Sequence, residues 1–402
     1  MNQLKLGLST LATIGILTWS TAQESSIKNW VGYLDYNNIS VPFEFTLEYD
    51  GDEVIEATLI NGPERIKLNQ FDKKGDSLII PLKPFDSFLK VKIESDLMSG
   101  QWEKPYRNLF VKFRAEQIDE RMKVQSSAYM EVAKKWSVTF KPGTKDAYPG
   151  IGLLKQEGNK LTGTVLTEVG DFRYFEGVVD GDSIKLSSFD GAHGFYMAGR
   201  KTEAGMSGKF YFDPNYSESW TAVIDEQAEL KDPFDIVARQ GNNFVPYYDI
   251  LAAGNGKNAI NPKEFDGKVV VIQVFGTWCP NSLDETVFLK DWYENRQKGT
   301  DLIAVTYEPN YSKEYGMKRI GEYVEFLKLP YEVYLGGQMS KSHAAIAFPF
   351  MDKLAAFPTL LIVDKKGEVR YIHGYFNGPA TGNYYEAFKE QFNERINDLL
   401  RE

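Results

Sequence analysis

The sequence predicts an α+β multidomain protein in which an all-β N-terminal module precedes an α/β domain. Between residues 27 and about 225, short segments of alternating hydrophobicity are separated by turn signals such as Tyr49-Asp50-Gly51-Asp52, a pattern typical of antiparallel strands. From residue 261 onward, apolar runs alternate with segments of helical periodicity, which indicates an α/β arrangement. Several landmarks of the β-rich part also recur after about 105 residues, as expected of a duplicated unit.

The length and charge of the chain limit its class. Its 402 residues include 43% hydrophobic and 25% charged residues, which is ordinary for a globular protein with room for two or three domains. The formal net charge is −10, and the sequence contains no basic run or stripe. We therefore expect no nucleic-acid partner.

Residues 1–22 are predicted to be a secretory signal peptide. Lys5 supplies a positive charge, residues 6–17 form an apolar run, and small residues precede a cleavage point, in the order expected of such a signal. The apolar run is shorter than the ~20 residues of a spanning helix, which argues against an uncleaved anchor. We expect a periplasmic or otherwise exported protein, without stable membrane insertion after the signal has been removed.

The β-rich module is predicted to consist of two similar antiparallel units, residues 27–120 and 135–226. Three short motifs occur in the same order in both units, which favours an internal duplication over coincidence. The pairs are Gly75-Asp76-Ser77-Leu78 with Gly181-Asp182-Ser183-Ile184, Phe85-Asp86-Ser87 with Phe189-Asp190-Gly191, and Met98-Ser99-Gly100-Gln101-Trp102 with Met206-Ser207-Gly208-Lys209-Phe210.

A ligand-binding role for this module is an alternative function. His193 lies among glycine and aromatic residues in the segment 189–195, which fits a binding loop as well as a turn with aromatic neighbours that pack inward. We interpret the segment as a turn, because the aromatic residues of such a module mostly build the cores of its sheets.

Residues 227–260 are predicted to be a linker or edge segment, because their composition is polar and rich in glycine or proline at both ends, as at a domain boundary. The domain that follows, residues 261–402, is predicted to alternate strands and helices and to close with a hairpin and a helix. The predicted strands are 269–275, 301–307, 331–335, 359–363 and 369–373, and the predicted helices are 283–295, 315–328 and 384–400.

The chemistry of the chain is predicted to centre on Cys279, its single cysteine. The strand at 269–275 is rich in β-branched residues and does not alternate, as expected of a strand covered on both faces. Pro280 suits the first turn of a helix, so Cys279 is expected at a helix N-terminus, where amide groups and the helix dipole favour a thiolate. We therefore expect a moderate lowering of the pKa of this thiol, limited by Asp284 and Glu285 in the first turns of the helix.

The segment from the strand through Trp278-Cys279-Pro280-Asn281 resembles the thioredoxin-like oxidoreductases, specifically the TlpA-like branch of the AhpC/TSA-related thioredoxin fold. That family carries Trp-Cys-x-x-Cys, whereas the last position of the motif is Ser282 here. The resemblance implies a thioredoxin fold for residues 261–402, and the β-rich N-terminal module resembles the extensions of some TlpA-like proteins.

The resemblance also assigns supporting residues to the site. Phe357-Pro358 stands where the family has a cis proline that holds open a groove for a substrate backbone beside the active cysteine, and cis bonds are essentially confined to proline. Phe357 would then line the groove. Gln273 occupies the position of a buried aspartate in thioredoxin and cannot act as a general base.

A single thiol completes half of a thiol–disulfide exchange. The Cys279 thiolate can attack a substrate disulfide, and a thiol of the substrate or of an external reductant must then release the mixed disulfide. Ser282 is expected to hydrogen-bond the thiolate. The resemblance therefore implies isomerase-like or monothiol reductase-like exchange on protein disulfide or thiol substrates, with an external thiol reductant as the second partner.

Two other functions are weighed against this one. The domain could be a noncatalytic binding module that retains the thioredoxin fold. Peroxidase activity is less favoured, because Ile272 and Gly276 stand where peroxiredoxins have their proline and their threonine or serine. We expect no cofactor and no metal site, since the three histidines, His193, His343 and His373, lack the spacing of metal ligands.

Overall fold

The computed structural model describes residues 25–236 and 262–402, apart from residues 119, 128–129, 311, 343, 345–347, 349 and 352–353. The predicted signal peptide, residues 1–22, and most of the predicted linker, residues 237–260, lie outside the described residues. In the described part of the chain, no helix has the length and apolar character needed to cross a membrane.

The first β unit is a nine-stranded antiparallel sheet in the order β4-β3-β2-β1-β9-β8-β7-β6-β5. Alternate residues of its strands point into one core, which includes Trp30, Phe43 and Phe113. The strands are β1 (Ser26–Tyr36), β2 (Ile39–Asp50), β3 (Glu53–Asn61), β4 (Glu64–Leu68), β5 (Asp72–Lys74), β6 (Ser77–Pro81), β7 (Phe88–Glu94), β8 (Leu97–Lys104) and β9 (Leu109–Glu116).

The second β unit is also a nine-stranded antiparallel sheet, in the order β11-β10-β18-β17-β16-β15-β14-β12-β13, and it closes on itself because β11 also pairs with β12. Its core includes Phe140, Phe175 and Trp220. The strands are β10 (Lys135–Phe140), β11 (Tyr148–Glu157), β12 (Lys160–Thr167), β13 (Gly170–Asp171), β14 (Phe175–Asp180), β15 (Ser183–Phe189), β16 (Gly194–Lys201), β17 (Met206–Asp213) and β18 (Tyr216–Ile224).

The two units resemble each other in several features, although only the second sheet closes on itself. In each unit the last strand pairs with the first, β9 with β1 and β18 with β10. Gly75 and Gly181 both have positive φ in the turn that precedes the fourth strand from the end. Gly100 and Gly208 occupy matching positions, where an added Cβ would lie 2.0 and 1.9 Å from a carbonyl oxygen of the neighbouring strand.

The C-terminal domain is built on a five-stranded sheet in the order β21-β20-β19-β22-β23. Strand β19 is parallel to β20 and antiparallel to β22, so it lies at the centre, and all its residues are buried. The strands are β19 (Val269–Phe275), β20 (Thr300–Glu308), β21 (Val333–Gln338), β22 (Thr359–Val363) and β23 (Val369–His373). The helices are α1 (Pro280–Glu294), α2 (Lys313–Leu327) and α3 (Asn383–Arg401), and short 3-10 turns occur at Pro105–Arg107, Pro262–Glu264 and Pro379–Thr381.

This order of strands and helices confirms the predicted thioredoxin fold of the C-terminal domain, with element bounds shifted by a few residues. The described residues are mostly strand, because two nine-stranded sheets precede the C-terminal domain, as expected of an all-β module followed by a thioredoxin-fold domain.

Candidate active site around Cys279

Cys279 is the N-cap residue of α1, and Pro280 follows it in the first turn. Central strand β19 ends at Phe275, so the intervening turn carries the cysteine from the end of the sheet to the start of the helix. This is the predicted position. Its local cause is the fixed φ of proline, which suits the first turn of a helix and needs no hydrogen bond to its nitrogen.

The Cys279 thiol is largely buried and lies against the loop before β22. Its side chain is 9% exposed, and Sγ donates a hydrogen bond to the Phe357 carbonyl oxygen at 3.3 Å. The Phe357–Pro358 peptide bond is cis, as predicted. The residues predicted to form the groove, Cys279, Phe357 and Pro358, are therefore brought together.

Burial raises the pKa of the Cys279 thiol, so the predicted lowering is wrong for this conformation. The Ser282 hydroxyl and the amides of Ser282 and Asn281 favour the thiolate, as expected at a helix N-terminus, but burial outweighs them. The negative charge of Asp190, which belongs to the second β unit, acts in the same direction as burial. The sequence prediction counted the helix terminus and the nearby carboxylates of Asp284 and Glu285 but not the burial of the thiol.

Trp278 and Ser282 support the cysteine from two sides. The Trp278 indole Nε1 donates to the Tyr307 carbonyl at 2.8 Å, and its ring meets the Phe357 ring edge-on with centroids 5.7 Å apart. Ser282 is fully buried, and its hydroxyl accepts a hydrogen bond from the Gly276 amide at 3.4 Å. The residues on either side of Cys279 and Pro280 are thus held by hydrogen bonds to the neighbouring backbone.

Gln273 belongs to a buried polar cluster beneath the helix. Its Nε2 donates to Glu285 Oε2 and to Thr286 Oγ1, each at 3.0 Å. Burial raises the pKa of Glu285 to about 8, although Gln273 opposes the shift. The sequence prediction placed Glu285 near the helix dipole, whereas its side chain faces β19.

The position of Glu285 could have been found from helical spacing. The buried residues of α1 after Pro280 include Ser282, Glu285, Thr286 and Leu289, which follow the i, i+3, i+4, i+7 pattern of one helix face. An acidic residue on that face indicates a buried carboxyl group.

Asp284, Asn281 and Pro280 contact the second β unit. The Arg173 guanidinium forms an ion pair with Asp284 at 3.1 Å and donates to the Pro280 carbonyl at 3.4 Å. Asn281 Nδ2 donates to the Asp171 carbonyl at 3.1 Å. Burial raises the pKa of Asp284 to about 7, with Arg173 opposing the shift. No local pattern in the sequence indicated Asp171 or Arg173.

Glu308 stabilises the turn that precedes the cysteine. The amide and hydroxyl of Thr277 donate to the Glu308 carboxyl at 3.2 and 2.8 Å, and Thr306 donates to it at 2.5 Å. Burial raises the pKa of this carboxyl, against these hydrogen bonds. The turn is therefore fixed by side chains from β20.

The histidines lie apart from the cysteine cluster. His193 contacts Asp190 in the second β unit, His373 is buried on β23, and His343 lies outside the described residues. Among the residues that the structure describes, no three His, Cys, Asp or Glu side chains are grouped as metal ligands.

Comparison with known proteins identifies one family match and two similar curated proteins. Residues 239–386 match the Redoxin family model. The thiol-disulfide oxidoreductase ResA of Bacillus thuringiensis subsp. konkukian and that of Bacillus cereus are each 27% identical over 140 residues, covering 33% of this chain and 66% of the relative. The chain thus spans slightly less than two thirds of the length of these relatives.

Solved structures of thiol-disulfide proteins are more distantly similar. A thioredoxin-family thiol:disulfide interchange protein from Chlorobium tepidum is 16% identical, with coverage of 37% of this chain and 90% of that chain and a TM-score of 0.28. A secreted thiol-disulfide isomerase from Corynebacterium glutamicum is 14% identical, with coverage of 38% and 81% and a TM-score of 0.26.

Proposed function

We propose that this chain, whose residues 239–386 match the Redoxin family, is an exported protein. It would exchange thiols and disulfides through Cys279. The observation that carries the proposal is the placement of this cysteine at the N-cap of α1, with Sγ 3.3 Å from the carbonyl that precedes cis Pro358. The signal-like residues 1–22 support export.

The first step forms a mixed disulfide. The Cys279 thiol loses its proton, and the thiolate attacks one sulfur of a substrate disulfide. A sulfur–sulfur bond forms between enzyme and substrate, the substrate disulfide breaks, and the other substrate sulfur leaves as a thiolate that takes up a proton. The amides of Asn281 and Ser282 and the Ser282 hydroxyl favour the attacking anion.

The second step requires a thiol from outside the chain. When a thiolate of the substrate attacks the substrate sulfur of the mixed disulfide, a new substrate disulfide forms and Cys279 is released without net oxidation or reduction. When an external thiolate attacks that sulfur, a mixed disulfide of substrate and external thiol is released instead. The first outcome is isomerisation, and the second begins reduction of the substrate.

The predicted site residues have distinct proposed roles. Cys279 is the nucleophile, and Ser282 stabilises its anion. Trp278, Phe357 and Pro358 form the walls of the groove, while Pro280 and Asn281 complete the motif at its entrance. Gln273 holds the Glu285 carboxyl at 3.0 Å beneath the helix. Protein disulfides or thiols are the proposed substrates, with an external thiol as the proposed reductant.

The proposal is tested with the full chain and two variants. The parent is incubated with scrambled ribonuclease and a small thiol, and recovered ribonuclease activity is measured together with mixed disulfides by mass spectrometry. We expect a Cys279-linked adduct and thiol-dependent recovery of ribonuclease activity from the parent, and neither from Cys279→Ser. Ser282→Cys, which restores a second thiol, is expected to reduce the substrate disulfides faster than the parent. Absence of both signals from the parent would overturn exchange and favour a noncatalytic binding module.

A further inference from the structure

The second β unit covers the surface of the motif. Asn281 Nδ2 donates to the Asp171 carbonyl at 3.1 Å, and an added Cβ on Gly170 would lie 2.4 Å from the same nitrogen. The segment 170–173 is therefore in close contact with the helix turn that carries Cys279. This contact joins parts of the chain that are 110 residues apart.

Asp171 fixes the segment to a second loop of the C-terminal domain. Its side chain is 4% exposed, and Oδ2 accepts a hydrogen bond from the Gly378 amide at 2.7 Å. Asn281 also approaches the Phe376 carbonyl at 3.4 Å. Segment 170–173 thus lies between the motif and the loop after β23. It accepts a hydrogen bond from Asn281 of the motif and one from the Gly378 amide of that loop.

Arg173 anchors the same segment by charge. Its side chain is 6% exposed and pairs with Asp284 of α1 at 3.1 Å and with Glu64 of the first β unit. A buried arginine that bridges two carboxylates is costly to remove, because both negative charges would then be buried without a partner. All three folded parts of the molecule meet at this guanidinium.

The first β unit contacts the loop between β15 and β16 of the second unit. Lys104 Nζ donates to the Ala192 carbonyl at 2.6 Å, and Ser87 Oγ donates to the Gly191 carbonyl at 2.5 Å. The first unit also contacts the C-terminal domain, where Tyr315 of α2 donates to Asp86 at 2.8 Å. The second β unit is therefore linked to the C-terminal domain through the first unit as well as directly.

The docked arrangement leaves little of Cys279 open to a protein disulfide. Attack on a disulfide requires the thiolate to approach along the S–S axis, with both chains of the substrate beside it. Cys279 is 9% exposed, and the neighbouring hydrogen-bonding groups of Asn281 and Gly378 are already occupied by Asp171. A substrate backbone that used these hydrogen-bonding groups would therefore have to displace segment 170–173.

We propose that segment 170–173 is a built-in cover of the substrate groove, which must undock before a protein substrate can reach Cys279. The cover occupies the groove in competition with the substrate chain, and Arg173 is its principal anchor. Small reagents that react with thiols are expected to reach Cys279 with less displacement of the cover. This inference rests on the proposed exchange function, because it concerns the access of protein disulfides to Cys279.

Differential labelling of the full chain tests the cover. Cys279 is reacted with N-ethylmaleimide and, separately, with a maleimide that carries a long polyethylene glycol chain, and the two rates are compared. In Arg173→Ala, the rate with the large reagent is expected to rise roughly tenfold or more relative to the small one, since loss of a buried ion pair strongly destabilises the contact that it anchors. Arg200→Ala, at an exposed arginine of the same unit, serves as the matched control and is expected to leave the ratio unchanged.

A second variant guards against loss of folding. Gly170→Ala leaves the charges intact but forces a Cβ toward Asn281 at a position with φ +121°, so it should also raise the ratio while circular dichroism stays native. Equal rates for both reagents in the parent, or an unchanged ratio in the folded variants, would overturn the cover. Labelling requires no turnover, so failure of exchange with a confirmed cover would count against the proposed function alone.

Discussion

At Cys279, burial and hydrogen bonding act on the thiol in opposite directions. The helix terminus supplies amide donors that favour the anion, and Ser282 adds a hydroxyl. Burial of the thiol prevails and raises its pKa. The docked conformation therefore holds the cysteine mainly in its protonated form near neutral pH.

Ser282→Ala is expected to raise the pKa of the Cys279 thiol further, because it removes one of the groups that favour the thiolate. The rate of reaction with iodoacetamide, followed as a function of pH, should have its midpoint above the usual thiol value of about 8.5 in the parent and higher still in the variant. Cys279→Ser provides the background rate. A midpoint below that of a free thiol in the parent would contradict the expectation.

Glu285 gives the domain a pH-dependent stability. The pKa of its carboxyl is raised on folding, from 4.5 to about 8, so its contribution to stability is fully present below pH 4.5 and is lost as the pH rises through about 8. A difference of one pH unit between the folded and unfolded pKa values corresponds to about 1.4 kcal/mol of stability, which makes the expected loss a few kcal/mol.

Glu285→Gln keeps a hydrogen-bonding side chain but removes this titration. Between about pH 5 and about pH 9, the free energy of unfolding by urea should fall more in the parent than in the variant. Glu294→Gln, at an exposed glutamate near the end of the same helix, is the matched control and should follow the parent. Identical pH profiles for the parent and Glu285→Gln would show that this carboxyl does not titrate as proposed.

At the scale of elements, helix α1 contacts the central sheet with one face and the second β unit with another. Ser282, Glu285 and Thr286 face the sheet, whereas Asn281 and Asp284 meet the second β unit. Polar residues therefore occur on both covered faces of this helix, so its sequence shows little amphipathic contrast. Helix α2 packs an apolar face on β20 and β21, and its Tyr315 contacts Asp86 of the first β unit.

Two glycines of α2 are expected to respond oppositely to alanine. A Cβ on Gly316 would lie 2.7 Å from the Leu335 side chain, so Gly316→Ala should lower the free energy of unfolding by about 1 kcal/mol or more. Gly321 is exposed and has open space around it, so Gly321→Ala should raise that free energy by up to about 1 kcal/mol through helix propensity. Urea denaturation of both variants measures the two free energies of unfolding. Changes of the same sign in the two variants would contradict the packing described.

At the scale of the whole molecule, the two β units and the C-terminal domain all contact one another. Matching loops of the two β units, near Ser87 and Gly191, contact each other directly. The first of these loops also binds α2, and the second brings the Asp190 charge toward Cys279. The module is therefore part of the environment of the site.

This packing predicts slow formation of disulfide-linked dimers. Because the chain has a single cysteine, oxidation by diamide can form a disulfide only between molecules. The folded protein should remain largely monomeric on a non-reducing gel, since Cys279 is 9% exposed, while the same oxidant should link the urea-unfolded chain. Rapid dimer formation by the folded protein would show that two thiols meet freely.

The sequence by itself determined the features that depend on local pattern. Continuous apolar character located β19, Pro280 located the start of α1, and the repeated glycine turns predicted a duplication, because periodicity and turn chemistry act over a few residues. The missing second thiol at Ser282 was likewise visible in the motif.

Only the tertiary structure decided the environment of the thiol. Arg173 and Pro280 are 107 residues apart in the chain, and neither carries a local signal of their contact. The sign of the pKa shift at Cys279 is set by burial of the thiol, with the Asp190 charge of the second β unit acting in the same direction, and burial is a property of packing between distant segments. The helix terminus could be predicted from neighbouring residues, whereas the burial that outweighs it could not.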